Sequence, residues 1–126
     1  DLLILGDTTL RFYQTPGHTP GVSSFEFLAY DGSEPHRVFF HAGHNVTGPD
    51  PQAFRAFIDS TKRLQNILTD IDVNLTSHPW ASLIFERTGM LAERRPSEPH
   101  PFVQPGDFIA FLAERIESHE ARLAEL

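Results

Sequence analysis

Short apolar runs broken by Gly, Asp and Pro fill the first forty residues, and helical spacing takes over after residue 50. Leu2 to Leu5 and Leu10 to Gln14 flank Gly6-Asp7-Thr8-Thr9, a polar segment whose glycine suits positive φ, so two strands are expected to pair as a hairpin with Asp7 in its turn. Val22 to Tyr30, rich in β-branched and aromatic residues, ends at Asp31-Gly32-Ser33-Glu34-Pro35, and Arg37 to His41 supplies the return strand of a second hairpin. Asp50-Pro51 opens a helix, Asp as cap and Pro in the first turn. Phe54, Phe57, Ile58, Leu64, Ile67 and Leu68 then follow helical spacing, predicting one amphipathic helix from about residue 51 to 68. Val73 to Thr76 reads as a short strand leading into Ser77-His78-Pro79-Trp80, which puts His78 at the strand's C-terminal edge.

Ala81 to Glu93 is moderately helical, weakened by Gly89. Arg94 to Pro105 carries Pro96, Pro99, Pro101 and Pro105 and reads as an ordered crossing loop, because Asp107 to Leu126 is a second amphipathic helix that needs something to pack on. Phe108, Leu112, Ile116 and Leu123 form its apolar stripe. Strands, helix, strand, then helices predict an α/β layered domain with helices on a largely antiparallel or mixed sheet.

Composition narrows the partners. At 126 residues and 40% hydrophobic content one folding unit with a real core is expected. A net charge of -7 with scattered basic residues argues against a nucleic-acid partner, since phosphate binding needs clustered Lys and Arg. No apolar run approaches the ~20 residues that span a bilayer, so no membrane partner is expected. The absence of cysteine excludes a thiolate cage, and a metal would have to be held by His, Asp or Glu. The chain opens directly on Asp-Leu-Leu-Ile-Leu, a beginning that looks like the interior of a domain.

Candidate chemistry concentrates on histidines. In Thr15-Pro16-Gly17-His18-Thr19-Pro20-Gly21 two prolines and two glycines restrain a tight loop around one imidazole, a rigid mount of the kind a catalytic zinc ligand requires. A lone histidine in such a loop is more often bonded to nearby backbone; the complete heptapeptide shifts that balance. His78, followed by Pro79, is restrained to extended geometry at a strand end.

Thr-Pro-Gly-His-Thr-Pro-Gly resembles the third metal-ligand motif of the metallo-β-lactamase superfamily. Ser77-His78-Pro79 resembles its last ligand in the form typical of class B, subclass 3 lactamases and their relatives. Glu98-Pro99-His100-Pro101-Phe102-Val103 before a terminal helix resembles the end of the same group, His100 being structural or on the surface and Phe102 and Val103 anchoring the loop. The resemblance implies the C-terminal half of the αβ/βα sandwich over residues 1–126, a mixed sheet with helices packed on it, and two zinc ions in the intact enzyme. It makes His18 and His78 ligands, with the rest expected from a His-x-His-x-Asp-His motif that this chain lacks.

Where superfamily members carry a bridging Asp, or subclass 3 lactamases a Ser, this chain has His44, either an added ligand, a residue that bonds metal-activated water, or a pocket-wall histidine. Val46 stands where subclass 3 lactamases hold the drug's carboxylate with a further Ser; Thr47 is the nearest hydroxyl and a candidate substrate residue. The implied function is zinc-dependent hydrolysis, metal-activated water attacking an amide, lactam, lactone or ester carbonyl of a small-molecule substrate, with the 126 residues alone inactive. A glyoxalase II-like thioesterase and a metal-free binding member of the fold are the alternatives. A compartment follows only by analogy, periplasmic or secreted if like subclass 3 lactamases and cytoplasmic otherwise. Of the remaining polar and aromatic residues, His36 and His119 are expected to be exposed, Trp80 to pack, and His41 to turn toward the core or an opposing layer.

Overall fold

The computed structural model describes all residues 1–126. Its elements run β1 (Leu2–Leu5), β2 (Thr8–Gln14), β3 (Ser23–Asp31), β4 (Glu34–His41), α1 (Pro51–Ile67), β5 (Val73–Thr76), a single 3₁₀ turn (Pro79–Ser82), α2 (Ile84–Ala92) and α3 (Asp107–Ala124). The five strands lie in sequence order in one sheet. The first four form an antiparallel meander, and β5, reached by a crossover through α1, pairs parallel to β4 with Phe40 opposite Leu75 and His41 opposite Thr76. The mixed α/β architecture expected from the sequence is the one observed.

Alternation along β2 to β5 gives the sheet two unlike faces. On one, Phe39 packs with Leu64 and Leu68 of the α1 region, Ile71, and Phe108 and Leu112 of α3, with Tyr13 against them. This is the core, and α1 and α3 cover it together. The cap of α1 forms as expected, Asp50 accepting a bond from the Gln52 amide at 2.9 Å. The opposite face carries Phe12, Phe25 and Phe40 in cross-strand contact, with ring centroids 5.6 and 5.1 Å apart, and no helix lies across them. Farther along it, Phe27, Val38, Val73, Phe102 and Val103 line an apolar cavity of about 370 Å³. No helix is long and apolar enough to cross a membrane.

The proline-rich segment is tied down. Arg94 grips Asp31 with two bonds at 2.8 and 3.1 Å, and the Gln104 amide donates to the Asp72 carbonyl at 2.8 Å. The 81–93 region departs from expectation: helix begins only at Ile84, because Leu83 sits in the left-handed region at φ 55° and separates it from the 3₁₀ turn. Two histidines expected to be exposed are not. His36 is half-buried, its Nδ1 2.7 Å from Asp72, and His119 is fully buried, stacked on Phe57 at 4.1 Å.

Candidate metal centre

Three loops leave the same end of the strands. The His18 loop follows β2, residues 42–50 follow β4, and His78 follows β5. The parallel pairing of β4 and β5 brings the last two side by side, and the Ser77 amide donates to the His41 carbonyl at 3.2 Å. Thr76 fixes the exit from β5, its hydroxyl donating to the His78 carbonyl at 2.6 Å and meeting the Ser82 hydroxyl at 3.1 Å.

The His18 loop is held inward by the absence of a side chain. Gly17 has φ 140°, and a Cβ there would lie 2.5 Å from Phe57 Cβ and 3.1 Å from the Ala53 carbonyl oxygen. Gly43 does the same from the other side, at φ 58° with Cβ space only 2.8 Å from His18 Cβ. The two glycines let the His18 loop touch α1 and the 42–47 loop at once.

His18 Nδ1 lies 2.7 Å from the Asn45 carbonyl oxygen. A carbonyl only accepts, so Nδ1 carries a proton, and the neutral tautomer this bond selects has its lone pair on Nε2. This is the usual arrangement for an imidazole that binds metal through Nε2. His44 and His78 meet edge to face with centroids 4.9 Å apart, and Trp80 stacks on the other side of His78 at 4.7 Å. Trp80 therefore does not pack in the core; it is 68% exposed and forms a wall beside His78. His44 is buried, its Nδ1 has no partner, and desolvation followed by the nearness of His78 pushes its pKa down to about 4. Thr47 is exposed and lines a groove with His18 and Asp50, whereas Val46 is fully buried on Phe54 and Phe57.

No three His, Asp or Glu side chains stand close enough together to hold a metal by themselves. The donors present nevertheless suit zinc in kind: imidazoles, one with its Nδ1 anchored to backbone and one with an orphaned buried nitrogen.

His41 lies behind the site with no exposed surface, its Nδ1–H donating to the Ala42 carbonyl at 3.1 Å and its Nε2 unpartnered. Desolvation pushes its pKa down to about 4, with His44 adding to the shift. A folded pKa below the unfolded value of ~6.5 leaves stability intact at pH 7. Stability then falls as the pH drops from ~6.5 toward 4, by at most about 3 kcal/mol. Urea midpoints at pH 7.5, 6 and 5 should show that decline, and His41→Gln should make it shallower, the remainder coming from His44 and His119, whose pKa values are lowered in the same direction; an equal slope in the variant would remove His41 from the effect.

Compared with solved structures, the chain is similar over 99% of its length to a subclass B3 metallo-β-lactamase of Bradyrhizobium japonicum, at 28% identity and TM-score 0.79, spanning 48% of that chain. It is similar to the native metallo-β-lactamase of Legionella gormanii at 20% identity and TM-score 0.84, spanning 49% of that chain. A subclass B3 enzyme from a soil metagenome library matches at 18% and 0.81, again over 49% of its length. No family model matches the chain, and no curated protein does. The chain thus spans about half the length of the structures it matches, and the resemblance carried by its motifs is borne out at the level of fold.

Proposed function

We propose, from a chain with the fold of half a subclass B3 metallo-β-lactamase, that residues 1–126 form the C-terminal half of a zinc-dependent hydrolase of small-molecule carbonyl substrates. The observation that carries the reading is His18: its Nδ1 is committed to the Asn45 carbonyl, which leaves Nε2 as the nitrogen available to a metal, on a loop at the same end of the strands as the paired His44 and His78.

Zinc, if bound, would supply Lewis acidity for the attack of water on a carbonyl. His18 and His78 would hold it, with ligands from the absent half. His44, beside His78, is a candidate further ligand. The chain's other residues shape the approach. Trp80 offers an exposed aromatic surface to an apolar substrate group, and Thr47 a hydroxyl at the mouth of the groove next to His18. With Val46 turned into the core, no hydroxyl is available at that position to hold a substrate carboxylate, which favours lactone, ester or simple amide substrates over β-lactam drugs.

The half-buried Phe12, Phe25 and Phe40 cluster, on the sheet face opposite α1 and α3, supports the half-domain reading, because an apolar sheet face calls for a covering layer. Metal analysis of the full-length protein tests the proposal. Two zinc ions per chain are expected, removable by chelation with loss of hydrolysis; a full-length protein that folds and takes up no zinc at any pH between 6 and 8 would leave the metal-free binding reading in its place.

A further inference from the structure

Two residues near the C-terminus of α3, His119 and Arg122, reach back to the loop that orients His18. The Val46 amide donates to His119 Nε2 at 3.1 Å. Arg122 donates through Nη1 to Asn45 Oδ1 at 2.7 Å and through Nη2 to the Val46 carbonyl at 2.8 Å. The Asn45 carbonyl between these contacts accepts from His18 Nδ1. We propose that His119 and Arg122 are positioning residues that select the metal-binding tautomer of His18 through the Asn45–Val46 peptide. The inference rests on the reading of His18 as a ligand.

Each part of the clamp has its own reason to stay in place. His119 donates from Nδ1 to the Arg115 carbonyl at 2.7 Å, so its proton is on Nδ1 and Nε2 can only accept. Burial, the larger effect, and the nearby Arg122 and Arg115 guanidinium groups favour the neutral ring that this acceptor role needs. Its ring stacks on Phe57, and the Arg122 guanidinium lies 4.8 Å over Phe54, so both are braced on α1. Spacing of three places them on one face of α3, and Val46, fully buried on Phe54 and Phe57, removes the loop's freedom to swing out.

The consequence is chemical. A free imidazole favours the Nε2–H tautomer, which has no lone pair where a metal would bind. A carbonyl fixed 2.7 Å from Nδ1 reverses the preference before any metal arrives. Loosening the loop would return His18 to a mixture of tautomers without disturbing the sheet.

Two-bond ¹H–¹⁵N spectra of ¹⁵N-histidine-labelled protein free of metal read the tautomer directly, with His18 identified by the signal lost in His18→Gln. The expected result is Nδ1–H in the wild type, a mixture rich in Nε2–H in Arg122→Ala and His119→Leu, and retention of Nδ1–H in His119→Gln, which keeps an acceptor for the Val46 amide. Zinc affinity should fall by about tenfold to a hundredfold in the first two and by less in the third. Arg122→Gln serves if Arg122→Ala does not fold. A wild type in the Nε2–H form, or variants that keep Nδ1–H and full zinc affinity, would overturn the assignment. Tautomer changes in a protein whose wild type takes up no zinc would instead uphold the clamp and remove the zinc reading.

Discussion

His78→Ala in the full-length protein is expected to lose one zinc ion and to lower hydrolytic turnover by about a thousandfold or more, since a metal's Lewis acidity contributes several kcal/mol to such a reaction. A catalytic zinc generally has three protein ligands, and a site cut to two keeps neither the geometry nor the affinity. The structural cost should be small. The His78 side chain makes no hydrogen bond, and its ring neighbours are His44 and the exposed Trp80, so the stability change should stay within about 1 kcal/mol. Zinc stoichiometry and circular dichroism measured together separate ligand loss from unfolding. Retention of both ions with turnover within tenfold of wild type would remove His78 from the ligand set. His44→Ala in the same assay decides between ligand and pocket wall, a ligand giving a loss comparable to that of His78→Ala.

The elements were legible because their hydrophobic periods are clean: four strands bounded by Gly and Pro, and two helices with continuous stripes. At His119 position overrides residue type. This residue lies three residues after Ile116 and seven after Leu112, on the stripe that the apolar residues already marked, and the fold buries it there by meeting both ring nitrogens. The same holds for His36. It alternates with Val38 and Phe40 onto one sheet face, where Asp72 partners its ring. Trp80 went the other way, since the run into the 3₁₀ turn has no period from which to read a face, and tertiary placement beside His78 left it exposed. The His18 and His78 motifs stand out in the sequence because Gly and Pro constrain backbone locally, whereas the contacts from α3 join residues more than seventy positions apart and no local pattern announces them.

Gly17→Ala should be the most damaging single methyl in the chain. At φ 140° any L side chain is strained, and the added Cβ would lie 2.5 Å from Phe57 Cβ, 3.0 Å from its Cα and 3.1 Å from the Ala53 carbonyl oxygen. These are a helix backbone and the root of a buried side chain, so no rotamer change relieves the contact. Phe57 belongs to the core with Phe54 and Val46, and α1 cannot retreat without opening that cluster. The His18 loop must move instead, at a combined cost of about 3 kcal/mol or more. Because His18 is the next residue, the loop carries its imidazole along, and its bond to the Asn45 carbonyl breaks even where the protein remains folded. Gly21→Ala is the matched control, with nothing within 4 Å of its Cβ position and an expected change within about 0.5 kcal/mol. Urea unfolding and zinc titration of both variants should show a large loss of stability and of zinc affinity for Gly17→Ala alone. If its midpoint matched that of Gly21→Ala, the close approach of the His18 loop to α1 would not be what holds His18 in place.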